Sequence, residues 1–292
     1  MKRVRPRMTA AMAMAAALAF ACVAQAVPLT ANLSVSADDA GGTAIDADFT
    51  VSPTEHLTLM AGAGHSESPA RTVELRGTLL NAGASLYGDR AGVALGYDLF
   101  DDNTSYHAGT LGARAWVRAG DFEFTLLARH RDMGVELTLD LPLRTVRREV
   151  EFSALGAGAQ IAFSRGDFHV YAMTIGYDYD EQFDEFLDLA GSPLLDERPR
   201  IEALLGSFLT QAQGAIDRQT GAGVEYMSGR HSLAVDFSYV HDAVLDSSST
   251  SVVLTFSRAE SAHLDWSLSA GMADSEAYGG IAFLGVSFGL AN

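Results

Sequence analysis

Strict two-residue alternation, repeated almost from end to end, is the feature that leaves this sequence the fewest folds. It is clearest in GAGVEYMSGRHSLAVDFSYVHD, residues 221–242. Leu233, Val235, Phe237 and Tyr239 alternate with Ala234, Asp236 and Ser238, while Ala222, Val224 and Tyr226 alternate with Gly221, Gly223 and Glu225. Between the two runs, Ser228-Gly229-Arg230-His231 reads as a tight turn, so the stretch is a β-hairpin. One of its faces is continuous and apolar. The other carries glycine, small residues and isolated carboxylates, which cannot pack a dry core but suit a wet interior.

The same unit recurs along the chain. Leu29 to Val35 and Ile45 to Val51 alternate with Thr30, Asn32, Ser34, Asp46, Asp48 and Thr50. Further runs follow at Leu57 to His65, Val73 to Tyr87, Val93 to Leu99 and Leu111 to Arg118. From Phe122 to Ala128 the apolar set opposes Glu123, Thr125, Leu127, Arg129 and Arg131, and alternation then runs on through Val135 to Leu141 as a projecting hairpin. Leu155 to Phe163 returns, and in the ninth run Tyr171, Met173, Ile175, Tyr177 and Tyr179 oppose Ala172, Thr174, Gly176 and Asp178. Residues 181–213 break the pattern: Ile201, Leu204, Leu205, Phe208 and Ala212 recur at helical spacing, which predicts an amphipathic helix in a long loop. After the hairpin come Val252 to Phe256, Leu264 to Met272 and Tyr278 to Leu290.

This makes fourteen strands. Twelve is the alternative, because the first three runs barely reach the roughly 9–11 residues of a tilted membrane-spanning strand. Short connections follow even-numbered strands, and the longer ones, 101–110, 132–150 and 181–213, follow odd-numbered strands. That segregation predicts an all-β, antiparallel up-and-down transmembrane barrel with short periplasmic turns and longer outer loops. A soluble β-sandwich has no reason to sort its loops by parity.

Residues 1–26 read as a cleaved signal peptide: Lys2, Arg3, Arg5 and Arg7, an apolar run to Val23, then Ala24-Gln25-Ala26. Residues 27–292 then form a single barrel domain. Past residue 26, 16 arginines face 37 acids, a net charge of −21. Such a balance argues against nucleic acid as a partner. With Cys22 removed no disulfide can form, so stability rests on strand pairing and burial. No later segment approaches 18 continuous apolar residues, and the remaining way into a membrane is a barrel, which pairs every backbone group between strands.

Over 27–292 the chain resembles the bacterial, Gram-negative outer-membrane β-barrel proteins in architecture, with monomeric porins of similar strand number as the nearest analogues. Its end is similar to their assembly signal, with Gly285, Phe288 and Leu290 in the required places, although it closes on Asn292 without a terminal aromatic. The resemblance implies an outer-membrane location among lipid and lipopolysaccharide, insertion by the barrel assembly machinery through those three residues, and passive passage of small solutes through a monomer, with no cofactor.

If apolar residues face lipid, the opposite face lines the lumen. This assigns Arg114, Arg118, Arg129 and Arg131, with Asp98 and Glu123 beside them, to one wall, and Asp178, Glu225, Asp236 and Asp265 to the far side. At matching depths the two walls set a transverse field that selects polar solutes; alternatively each arginine pairs with Glu123 or Asp98 and fills space. The net charge predicts weak cation selectivity. Abundant lumenal glycine and alanine suggest room for water, which favours a pore over the alternative of a closed structural, adhesive or surface-binding barrel. The third class is an outer-membrane enzyme. Its candidates, His65-Ser66-Glu67 and His231-Ser232, place neighbouring residues on opposite faces of a strand, unsuited to proton transfer. The acids from Asp178 to Glu197 read as a solvated loop without EF-hand spacing, and Arg144, Arg147 and Arg148 as an exposed cluster that could meet lipid phosphates.

Overall fold

A computed structural model describes residues 27–70, 73–102, 106–141, 144–190, 215–244, 246–276 and 279–292. The signal segment and the helical spacing at 201–212 lie outside the described residues. Fourteen antiparallel strands close on themselves: β1 (Leu29–Asp38), β2 (Thr43–Thr54), β3 (Leu57–Ala70), β4 (Val73–Tyr87), β5 (Ala91–Asp101), β6 (Tyr106–Ala119), β7 (Phe122–Leu141), β8 (Arg144–Arg165), β9 (Phe168–Tyr179), β10 (Ile216–Ser228), β11 (His231–Asp242), β12 (Ser247–Ala259), β13 (Leu264–Ser275) and β14 (Gly279–Ala291). Each strand pairs with its neighbours in sequence, and β1 pairs with β14 from Thr30↔Ala291 to Asp38↔Phe283. No edge is left open, which is what a spanning sheet requires in lipid. The turns after β6, β8 and β10 are tight, and each holds a glycine with positive φ: Gly120 (63°), Gly166 (59°) and Gly229 (60°).

Residues paired directly across neighbouring strands share a face, so one inward and one outward set can be followed round the barrel. Near the short turns the outward set is apolar yet exposed, including Leu86 (56%), Leu95 (60%), Leu126 (70%) and Leu284 (68%). A band of this kind on a closed barrel faces lipid. Aromatic pairs border it at the turn end: Phe122 with Phe163 (5.1 Å between ring centres), Phe168 with Tyr226 (4.9 Å) and Phe256 with Trp266 (5.7 Å). Amphipathic rings at a membrane edge form such a girdle.

Toward the long loops the pattern inverts. The outward positions of β6 to β9 become His107, His130, Asp132, Glu149, Glu151 and Asp178, all exposed. The inward positions become Met133, Val135, Val150, Phe152, Ile175 and Tyr177, all buried. The projecting hairpin is present, since β7 has 20 residues and β8 has 22. Helix α1 (Glu181–Ala190) follows β9 and lays Phe183 and Phe186 on Phe152, with ring centres 5.1 and 5.0 Å apart. Phe183 also stacks on Tyr179 at 4.1 Å. Above the lipid the outer wall meets water, so the hydrophobic effect drives apolar residues inward, as in any soluble protein.

This corrects the sequence reading of β9. Tyr171, Met173, Ile175 and Tyr177 face inward, not toward lipid, and Asp178 points outward. The register leaves no choice: Gly156 pairs with Tyr177, and Leu155, exposed on the outward face, pairs with Asp178.

Candidate functional site

The lumen is the candidate site, and its basic wall is built by facing residues of β6 and β7. At the turn end, Arg118 and Glu123 pair across these strands with Nε to Oε2 at 2.7 Å. The arginine side chain is 61% exposed, so the pair contributes only about 0.2–1 kcal/mol. Arg114 lies over the Trp116 ring at 5.4 Å, and that ring sits where Gly92 has no side chain. Farther in, Tyr177 holds two arginines. Arg129 Nη1 donates to its hydroxyl at 3.1 Å, and the Arg131 guanidinium stacks over its ring at 4.5 Å. Arg131 is 1% exposed, so this cation–π contact is desolvated and worth about 2 kcal/mol. Asp98 shares their row through Thr110, which pairs with both Asp98 and Arg131, and it lies within electrostatic reach of Arg129 and Arg131.

The carboxylates form a second set. Asp236 accepts a hydrogen bond from the Tyr171 hydroxyl at 2.7 Å. Glu225 pairs with Ala234 and His169, and Asp265 packs against Gly289, all on the inward face. Sequence reasoning missed Asp46 and Asp48. Ser34 Oγ donates to Asp46 at 3.4 Å, and Asn81 Nδ2 to Asp48 at 3.3 Å. Their signal was present in the alternation of β2 against Ile45, Ala47 and Phe49.

Strand order places β13 and β14 across the barrel from β6 and β7. The wall facing the arginines is therefore mainly hydroxyl, with Ser267 and Ser287 hydrogen-bonded at 2.7 Å and Asp265 the carboxylate among them. Ser238 and Ser251 continue this lining at 2.8 Å. The expected opposition of a basic to an acidic wall is thus replaced by three sectors: basic on β6–β7, hydroxyl on β11–β14, and carboxylates spread between them on β1–β2, β5 and β10–β11.

Of the residues assigned to the lumen from sequence, Arg114, Arg118, Arg129, Arg131, Asp98, Glu123, Glu225, Asp236 and Asp265 all face inward, and Asp178 does not. The expectation about glycine holds at Gly96 and Gly112, where a Cβ on the inward face would meet nothing nearer than backbone oxygens at 3.7 and 3.9 Å, but not elsewhere. A Cβ on Gly156 would meet the Tyr177 ring, one on Gly223 would meet Tyr171 and Asp236, and one on Gly271 would meet Phe283. These glycines make room for neighbouring rings and not for water.

His65 lies on the outward face and Ser66 on the inward one; the same split separates His231 from Ser232. Arg147 faces outward with Nη1 3.5 Å from Glu136, and Arg148 is exposed. Among the described residues, the one group of His and carboxylate ligand atoms gathered at metal-binding spacing lies outside the lumen, on the outer wall.

No family model matches the chain, and no curated protein matches its sequence. Its likeness is to solved structures. A loop L8 deletion form of OmpT, an outer membrane protein of Vibrio cholerae, superposes with a TM-score of 0.50 at 10% identity, covering 91% of this chain and 98% of that one. CymD, described as a monoaromatic hydrocarbon channel, superposes with a TM-score of 0.53 at 11% identity, covering 91% and 88%. At such identities the shared property is the fold. The chain has the closed β-barrel fold of these bacterial outer-membrane proteins.

Proposed function

We propose that the protein is a porin-like channel for passive diffusion of small polar solutes and ions across the outer membrane, weakly selective for cations. The observation that carries this reading is that the inward face behind the lipid band is polar and open to solvent: Asn32, Asp48, Arg114, Arg118 and Asp265 face inward and are exposed. A closed interior at this depth would bury them at a cost of several kcal/mol per unpaired charge. At the outer mouth the apolar core occupies the side of β5–β11. We place the route on the other side, past the inward and partly exposed Ser249 and Ser275. Cation preference follows from the lining, where Asp46, Asp48, Asp98, Glu123, Glu225, Asp236 and Asp265 outnumber Arg114, Arg118, Arg129 and Arg131.

CymD, described as a channel, agrees with this reading by fold. In the same proposal the barrel is a monomer embedded in outer-membrane lipid and lipopolysaccharide. Phe288 and Leu290 point outward on β14 and Gly285 inward, where the assembly machinery reads the last strand. A closed structural or surface-binding barrel is the second reading, favoured by the aromatic rings over Gly92, Gly156, Gly223 and Gly271.

Liposome swelling separates the two. Proteoliposomes holding the barrel swell in isosmotic arabinose and more slowly in larger sugars if a polar passage exists. Swelling no faster than that of protein-free liposomes for every solute supports the closed barrel.

A further inference from the structure

Where β6, β7 and β8 run side by side above the lipid band, their outward wall gathers an imidazole and two carboxylates. His107 on β6 and Glu151 on β8 both pair with Gly134 of β7, and Glu149 lies two residues from Glu151 on the same face. Gly134 has no side chain, and the imidazole lies across the middle strand in that space. A Cβ there would run into the ring, coming within 3.1 Å of Nδ1 and closer still to Cε1 and Nε2. The ring thereby reaches the β8 carboxylates, and one ligand atom from each of the three residues lies within 4.8 Å of the other two. None of the three side chains has a hydrogen bond or ion pair among the described residues. Arg147, the nearby cation on this face, is engaged by Glu136 at 3.5 Å.

We propose that His107, Glu149 and Glu151 form a binding site for a divalent transition-metal ion of the zinc type. Bonds of about 2.0–2.2 Å to imidazole nitrogen and carboxylate oxygen put ligand atoms on one tetrahedral ion roughly 3.4 Å apart. Side-chain rotation covers the difference from the observed spacing, while the strands keep the three Cα positions fixed. A hard ion such as Ca²⁺ takes oxygen ligands, so the imidazole selects against it. Three protein ligands leave a coordination position open to water or to an oxygen from outside the barrel.

The test is calorimetric titration of Zn²⁺ into the mature barrel in lipid nanodiscs at pH 7.5, with folding of every variant checked by circular dichroism. One ion binds per barrel, and H107A and E151Q each weaken binding at least tenfold. E136Q, which changes the neighbouring ion pair, leaves it unchanged, and millimolar Ca²⁺ does not displace the zinc. Absence of saturable binding by the folded wild-type barrel overturns the proposal. So does binding of unaltered strength to a folded H107A/E149Q double variant, which places the ion on other surface carboxylates.

Discussion

The lipid band and the outer collar are continuous pieces of the same strands, yet they solve opposite problems. In the band, β7 turns Phe124 and Leu126 outward and Glu123 and Arg129 inward; a few residues on, it turns His130 and Asp132 outward and Met133 and Val135 inward. Pleat and pairing are unchanged. What changes is the solvent on the outer side, and with it the side of the sheet on which apolar residues are stable. Period-two alternation in a membrane barrel therefore tells which residues share a face. Which face it is depends on depth.

The largest effect is expected where the collar is packed. Phe152 is 3% exposed and touches Tyr179, Phe183 and Phe186, so Phe152→Ala removes a ring from a dry core at a cost of about 3–5 kcal/mol. Urea titration of the folded barrel in detergent reads that loss. A midpoint equal to wild type would mean the collar is not a packed core.

The edge between the regions can be mapped by one substitution at two depths. Leu126→Arg places a charge in the lipid band and costs about 2–4 kcal/mol, whereas His130→Arg, four residues along the same face, is close to neutral. Equal penalties in reversible folding into liposomes would put the lipid boundary elsewhere. A smaller effect tests the buried cation. A double-mutant cycle over Arg131→Ala and Tyr177→Ala returns a coupling of about 0.5–2 kcal/mol if the guanidinium–ring contact stabilises the entrance to the collar.

Much of the band was legible in the sequence and little of the collar was. Leu233, Val235 and Phe237 lie outward as their alternation predicts, and the strand count of fourteen holds, whereas the sorting of connections by length does not: those after β3 and β7 are as short as the turns after β6 and β8. Asp178 was misplaced because β9 keeps large apolar residues on one face while its partner β8 fixes that face as inward. Within β9 alone nothing distinguishes lipid from core. The signal was in β7, where apolar residues shift parity between Ala128 and Met133 and His130 and Asp132 take the outward places. Glycine misled for a related reason: composition shows the missing side chain at Gly156 but not the Tyr177 ring that fills its space.

The smallest effect lies at the turn end, outside the spanning strands. A hydrogen bond from the Trp266 indole at 3.0 Å, helped by the charges of Arg258 and Arg230, holds the Glu260 carboxyl below its ordinary range against a weaker opposing push from desolvation. Its favourable contribution is present above the unfolded glutamate value near about 4.3 and is lost as pH falls through the lowered folded value. An NMR titration of Glu260 that moves to higher pH in W266F confirms the cause; an unmoved titration removes it.

The central claim is that a polar, water-filled path runs past the collar along β11–β14. Single-channel recording of the mature barrel in a planar bilayer addresses it directly. The account predicts discrete current steps, with a reversal potential in a salt gradient that shows modest preference for cations. A silent bilayer with the barrel folded and inserted would contradict it and leave a closed barrel whose outer collar, not its lumen, carries the function.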